Sequence, residues 1–337
     1  MNLITGATGL VGAHVALQLL RQQKTVVAIK RLSSDPAKTK KLFSYYTSDY
    51  ESLFQQIKWI DADICDVYSV LDALEGIDVV YHCAGFVSFN KKDIKQLYKI
   101  NAEGTANIVN ACLEKNIKTL CHVSSIATLQ NPDITQNIDE SVYWKSSPIA
   151  SDYAISKYNG EREVWRGIEE GLNAVIVNPS IILGPGFWNQ SSGKLIPTCY
   201  KGTPFYTNGS SAIVNAIDVA NCMIALVAKN LTGKRYIISE NNYTFKEIIS
   251  NIQKQFHKKE PHIHAGKTLL TLAKWADSLR HMFTGKEQTV TANMIHSVLE
   301  KNTYSNARIT KTLNLSFTPF TETVQFICNA YLNDFKK

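Results

Sequence analysis

The sequence predicts an α/β fold: a doubly wound parallel sheet with a smaller, mostly helical C-terminal lobe. Three observations lead there. Short apolar runs alternate with amphipathic helical patterns through the first half of the chain. A glycine-rich turn separates the first apolar run from the first helical pattern. After Pro179 the texture changes to turn-rich punctuation, and then to helices. The 337 residues are long for one compact domain, since domains run to about 100–200 residues. The expected division is a sheet domain over 1–180, with 212–240 returning to it, and a lobe made of 181–211 and 241–337.

Strands are expected at 2–5, 25–29, 57–60, 79–83, 119–124 and 174–178, with helices at 10–22, 94–115 and 153–170. Leu97, Ile100, Ile108, Val109 and Cys112 draw an apolar stripe at helical spacing through the second of these helices. The polar, Tyr- and Lys-rich stretch 33–52 reads as a loop with a short helix. Beyond Pro179, Gly184-Pro185-Gly186 and Asn208-Gly209 mark turns. They are followed by a helix near 218–229, a strand at 235–239 and a helix at 245–256.

Composition narrows the class. Apolar residues make up 45% and charged residues 19%, which excludes disordered and collagen-like chains. No apolar run reaches the ~20 residues that cross a bilayer, so no membrane span is expected. The net charge of +7 is spread along the chain, which suits anionic small molecules rather than nucleic acid. Seven cysteines without metal-like spacing read as reduced thiols, and with no secretory signal at Met1 the expected compartment is cytoplasmic. His257, His262 and His264 read as surface histidines, and no metal is expected. The stretch 269–283, with Lys274, Trp275 and Arg280, reads as a cationic amphipathic helix, packed on the surface rather than touching a membrane or covering an apolar substrate.

Gly6-Ala7-Thr8-Gly9-Leu10-Val11-Gly12 follows the first strand and opens the first helix. Its GxxGxxG spacing is a relative of the dinucleotide fingerprint. Gly6 suits a tight turn, Gly9 lets backbone amides approach a pyrophosphate, and Gly12 lets helix and strand pack closely. At the end of the second strand an NAD site wants an acid, and an NADP site wants cations. Here Lys30 and Arg31 stand with no acid before Asp35. NADP(H) is therefore the expected cofactor and NAD(H) the alternative, with Arg31 as the bidentate clamp.

Tyr153 and Lys157 lie four apart, on one helix face. That spacing is common by chance. Its weight comes from position, since it follows a strand ending in Ser124-Ser125. A Lys157 cation beside Tyr153 would lower the phenol's pKa and make it an acid or base near neutral pH. Ser125 would hydrogen-bond the substrate oxygen as charge develops on it.

With these motifs in order, together with His82-Cys83-Ala84-Gly85, Asn101-Ala102-Glu103-Gly104-Thr105, Asn178-Pro179 and Asp218-Val219-Ala220, the chain resembles the extended short-chain dehydrogenases/reductases. These form the NAD(P)-dependent epimerase/dehydratase superfamily. The resemblance implies a Rossmann fold and hydride transfer at the nicotinamide. It also implies that Tyr153 is the general acid/base, that Lys157 holds the nicotinamide ribose, and that Ser125 is the catalytic hydroxyl. Asp63 and Ile64 match adenine contacts, Ala84 and Gly85 line the cofactor, and Pro179 and Ser180 lie near the nicotinamide amide. Asn101 matches a buttress of the active-site helix. A homodimer through the helices at 101–115 and 153–170 is implied in the same way.

Two absences narrow the subfamily. The Asp-Glu pair that dehydratases place after the catalytic hydroxyl is replaced by Ile126-Ala127, which cannot transfer protons. The diphosphate-binding arginine of sugar-nucleotide epimerases falls on Ser211. What remains resembles the dihydroflavonol-reductase-like and 3β-hydroxysteroid-dehydrogenase-like branch. Phe86, Phe187 and Trp188 are expected to wall an apolar substrate pocket. The expected activity is NADP(H)-dependent interconversion of a ketone and a secondary alcohol on a hydrophobic or medium-sized organic substrate. The alternatives are an NAD-dependent nucleotide-sugar 4-epimerase and a non-catalytic dinucleotide-binding sensor.

Overall fold

A computed structural model describes residues 1–148, 150–284 and 291–335. The first half runs β1 (Asn2–Thr5), α1 (Leu10–Arg21), β2 (Val26–Lys30), α2 (Ala37–Ser44), α3 (Tyr50–Gln55), β3 (Ile57–Asp61), α4 (Val67–Ala73) and β4 (Val79–His82). Next come α5 (Ile94–Tyr98), α6 (Gly104–Glu114), β5 (Thr119–Val123), α7 (Asp152–Glu169) and β6 (Ala174–Pro179). After β6 come β7 (Ile181–Leu183), α8 (Leu195–Lys201), β8 (Phe205–Tyr206), β9 (Ser210–Asn215), α9 (Ala216–Ala228), β10 (Lys234–Ile238) and β11 (Asn241–Thr244). The chain closes through α10 (Phe245–Gln255), β12 (Ile263–His264), α11 (Lys267–Thr284), α12 (Ala292–Leu299), α13 (Ala307–Leu313) and α14 (Phe320–Phe335).

Seven strands form one parallel sheet in the order β10-β6-β5-β4-β1-β2-β3. Its inner strands are buried on both faces, as their continuous apolar runs require, while β3 at one edge is partly exposed. Period-two alternation sorts them. Ile4, Ala28, Cys121 and Val175 pack under α1 and α9, while Leu3, Val27, Leu120 and Ile176 pack under α6 and α7. Burial also fixes three histidines in the neutral form. His14 Nδ1 donates to Leu10 O and its Nε2 accepts from the Tyr46 hydroxyl, and burial lowers its pKa to about 4. His82 bridges Thr5 and Thr105 and is lowered to about 3, chiefly by burial and then by the Lys157 charge. Among the described residues His122 has no hydrogen-bond partner for either ring nitrogen, and burial holds it well below the ordinary value.

Three local expectations are corrected. The stretch 33–52 carries α2 and the first half of α3, because Leu42 and Phe43 reach the sheet core. The helix expected over 94–115 is interrupted by a π-helical turn at Lys99–Glu103, which accommodates the buried Asn101. The lobe after β6 also contains a sheet, β11-β9-β7, that short polar-edged runs such as Ser210–Asn215 did not announce. That sheet, α8, α10 and α14 enclose a separate core of Leu183, Trp188, Ile248, Phe320, Val324 and Tyr331. All seven cysteines are free thiols.

Near the end of α14, Asp334 accepts from the Tyr45 hydroxyl and from Trp188 Nε1 at 2.8 Å, and pairs with Lys41 at 2.7 Å. One carboxylate thus ties the lobe to α2 and the sheet domain.

Each of the three histidines binds a proton in the unfolded chain below pH 6.5 but resists it in the fold, so acid favours unfolding. We expect stability to fall as pH drops from 6.5 toward 4, by up to about 1.4 kcal/mol per histidine for each pH unit. His122→Leu removes one contributor and should flatten the slope of thermal midpoint against pH. A slope equal to that of the unaltered protein would contradict this account.

Candidate active site

The strand order reverses between β1 and β4, and the C-terminal ends of these strands part to leave a crevice. Gly6 turns there with φ +68°, and a Cβ on it would lie 2.7 Å from the Ala84 backbone. At Gly12 a Cβ would lie 2.4 Å from Gly6 O. No larger residue fits either place without moving the main chain. Gly9 begins α1 with no side-chain cap, and no acid stands in the first turn, so the helix N-terminus offers its amides to an anion. The crevice holds a cleft of about 610 Å³. Its walls include Gly6, Thr8 and Gly9, then Lys30 and Arg31, then Asp63 and Ile64, then Ala84, Gly85 and Phe86. The glycine cradle and the uncapped helix fit the pyrophosphate of a dinucleotide.

Other candidates stand elsewhere. Leu10 and Val11 pack their side chains against the sheet core, and Gly12 is buried behind them. Pro179 ends β6; the neighbouring Ser180 hydroxyl is buried without a partner among the described residues. Phe187 and Trp188, expected as pocket wall, are only 6% and 8% exposed and pack into the two cores on either side of them. Among the residues of the cleft wall that were not foreseen are Ser33, Ser34, Asp35 and Lys38. Lys38 belongs to the stretch 33–52, whose Tyr- and Lys-rich composition read as a loop with a short helix.

The cations of the cleft differ from their sequence reading. Lys30 is ion-paired with Asp61, its register partner on β3. Arg31 and Lys38 line the cleft and make no ion pair among the described residues.

Tyr153 sits in the first turn of α7, whose N-cap Ser151 accepts from Ala154 N at 3.1 Å. Ser125 begins a 3-10 turn, Ile126–Thr128, and its hydroxyl accepts from Ala127 N at 3.1 Å while hydrogen-bonding the Tyr153 phenol. Burial raises the pKa of Tyr153 and the Ser125 hydrogen bond opposes it. Lys157 does not supply the expected lowering. Its ammonium donates to Val123 O at 2.7 Å, and burial lowers its own pKa to about 8 against the pull of Glu161. A Cβ on Gly85 would lie 3.8 Å from Lys157 Nζ, so this trio stands at the edge of the cleft. Phe89 meets Tyr153 edge-on at 5.9 Å and, like Val87, is exposed.

Two buried devices hold the trio. Asn101 exchanges hydrogen bonds with Phe86 N and O at 2.8 and 2.9 Å and donates to Ser156 Oγ at 2.9 Å, fastening the 84–86 loop to α7. Glu161, two turns after Tyr153, was not singled out from sequence. Its carboxylate accepts from Ser124 Oγ at 2.5 Å, Thr128 Oγ1 at 2.7 Å, Asn178 Nδ2 at 2.8 Å and Arg235 Nη1 at 3.0 Å. Asn178 in turn donates to Ser125 O at 3.2 Å, and the Thr128 hydroxyl lies 2.9 Å from the same carbonyl. Arg235 also donates to the Glu140 and Val142 carbonyls in the segment after Ser125.

Removing one partner of such a pair strands the other charge, which costs about 3–5 kcal/mol. Glu161→Gln should lower stability in urea titration by roughly 3 kcal/mol, and Glu161→Gln with Arg235→Met should recover part of it. A loss below about 1 kcal/mol in the single variant would show that the carboxylate is not what holds these strand ends.

Comparison with known proteins agrees with this geometry. Sterol demethylase protein B of Methylococcus capsulatus is 28% identical over 253 residues, 74% of this chain and 72% of its own. Cinnamoyl-CoA reductase 1 of Petunia hybrida is 25% identical over 264 residues, 75% of this chain and 76% of its own. The crystal structure of gox2253 superposes with a TM-score of 0.81 at 26% identity, covering 99% of this chain and 98% of that one. Among the described residues no helix is long and apolar enough to cross a membrane. The model of the NAD dependent epimerase/dehydratase family matches residues 2–239. With its glycine cradle and reductase relatives, the chain belongs to that family and is an NAD(P)-dependent oxidoreductase.

Proposed function

We propose that the enzyme uses NADP(H) to interconvert a ketone and a secondary alcohol on a hydrophobic or medium-sized organic substrate. The observation that carries the reading is the hydrogen-bonded Tyr153–Ser125 pair, with the Lys157 ammonium at the cleft edge. The bound dinucleotide supplies the hydride donor or acceptor, and the chain's own residues handle the oxygen and its proton. In the reductive direction the Tyr153 hydroxyl gives its proton to the carbonyl oxygen as the carbon becomes tetrahedral. Burial suits this role, because it keeps the phenol protonated until a developing alkoxide can take the proton. Ser125 steadies that oxygen by hydrogen bonding. The Lys157 ammonium, held on Val123 O at the cleft edge, would hold the nicotinamide ribose.

Exposed Val87 and Phe89 beside Tyr153 offer an apolar surface to the substrate, in place of the buried Phe187 and Trp188. Ile126 and Ala127 supply no proton-transfer group for dehydration. NADP(H) is favoured by Arg31 and Lys38, two cations of the cleft wall without carboxylate partners among the described residues. Asp61 takes Lys30 out of that role.

Calorimetric titration with NADPH and NADH tests the cofactor. We expect NADPH to bind at least tenfold tighter, about 1.4 kcal/mol, and Arg31→Ala to erase the difference. Equal affinities, or an NAD that stays bound through purification, would move the reading to an epimerase. Turnover over a panel of hydrophobic ketones tests the chemistry. Tyr153→Phe should lower kcat by roughly 100-fold or more with NADPH affinity unchanged. The reductive rate should fall as pH rises through about 8, where Lys157 loses its charge. A Tyr153→Phe enzyme of near-normal rate would overturn the assignment.

A further inference from the structure

Surface helices ordinarily turn their apolar stripe inward, and the sequence led us to expect this of α11. The structure has it the other way round. Leu269, Leu272 and Trp275, spaced three apart, face outward, Leu272 being 62% and Trp275 68% exposed. The polar side faces the protein: Asp277 is buried, and Lys274 and Ser278 are half-buried. Arg280 Nη2 donates to Asp277 at 2.7 Å, which neutralises the acid on that side. Three more exposed apolar side chains belong to neighbouring elements. Ile263 of β12 and Phe205 of β8 are register partners just ahead of the helix, and Met294 lies on α12. A cluster of this kind marks an interaction surface.

A second, independent feature stands at the start of this helix. A pocket of about 290 Å³ has Tyr206, Asn208, Lys246 and Lys301 among its walls and no carboxylate. Lys246 lies over the Tyr206 ring at 4.6 Å, and neither ammonium is ion-paired among the described residues. The neighbouring Glu247 carboxylate is committed to capping Thr244. Ala265 N donates to Tyr206 O at 2.7 Å, and the His264 ring meets that of Tyr206 at 5.6 Å. The pocket is thus joined to the two residues that lead into Lys267 and α11.

We propose that this corner of the lobe docks on an anionic phospholipid surface. Leu269, Leu272 and Trp275 enter the boundary between headgroups and acyl chains, and Lys246 and Lys301 take lipid phosphate. The combination of outward Leu and Trp with nearby lysines is what a helix lying in the interface plane requires. Charge complementarity selects the occupant, for the chain carries +7 and this pocket is without acids in its walls. The proposal is independent of the reaction at Tyr153.

The test is co-sedimentation of the full chain with vesicles of phosphatidylcholine alone or with about one quarter phosphatidylglycerol. We expect the anionic vesicles to retain roughly tenfold more protein, less so in high salt. Leu272→Glu with Trp275→Glu should abolish retention. Lys246→Glu with Lys301→Glu should remove the preference for phosphatidylglycerol. All four side chains are exposed, so thermal midpoints should stay unchanged and misfolding is separable from lost docking. Absence of retention, or retention unaffected by the Leu272 and Trp275 changes, would overturn the proposal. So would a dimer in light scattering that those changes split, which would make a second copy the occupant. Glycerol phosphate displacing the protein from vesicles at micromolar concentration would make the pocket a site for soluble phosphates instead.

Discussion

A carboxylate removed from water must be given donors, and Glu161 is the place where this fold meets that requirement. Its oxygens gather a hydroxyl from the end of β5, another from the turn behind Ser125, the amide of Asn178 on β6 and the guanidinium of Arg235 on β10. Each donor comes from a different segment, so the carboxylate acts as a common anchor for strand ends that would otherwise diverge at the crevice. The same helix carries Tyr153 and Lys157. The distance between the phenol and the serine is therefore set from below, by a charge that never touches substrate. The design carries a risk, since a half-satisfied buried network is worse than none.

The other half of the site is shaped by closeness. Gly6 brings the first turn against Ala84, and Gly12 brings α1 against Gly6, so two stretches of main chain form a floor that no side chain interrupts. Side-chain polarity is added around that floor by Lys30, Arg31, Lys38 and Lys194, by Asp35 and Asp63, and by the hydroxyls of Ser33 and Ser34. Recognition of a charged group is left to side chains that can be exchanged without disturbing the floor.

What could be read from sequence was what local spacing encodes. The six strands of the first half lie within a residue or two of their expected bounds, because a fully buried strand is a short apolar run whatever its neighbours. The glycine loop and the Tyr153–Lys157 spacing are local as well. Pairings across the sheet were hidden. Lys30 meets Asp61 only through the register of β2 on β3, so the sequence offered a free cation where the fold has an ion pair. Glu161 was passed over because its donors lie up to 74 positions away. Phe187 and Trp188 suggested a pocket by composition, yet Trp188 is buried against α14 residues such as Tyr331, more than 130 residues on.

That distance bears on how the molecule is made. Asp334 is separated by 146 positions from Trp188 and by 289 from Tyr45, the two side chains that donate to it. On a ribosome adding about 5–20 residues per second, Tyr45 waits roughly 15–60 s for its acceptor. The seven-stranded sheet can form meanwhile, since β10 ends at Ile238. The lobe's core cannot, because Val324, Ile327 and Tyr331 have yet to emerge. During synthesis the chain therefore passes through a stage with a finished nucleotide fold and an open lobe, when indole, phenol and lobe leucines are all exposed. That interval, more than any property of the completed enzyme, is where a chaperone would find something to hold.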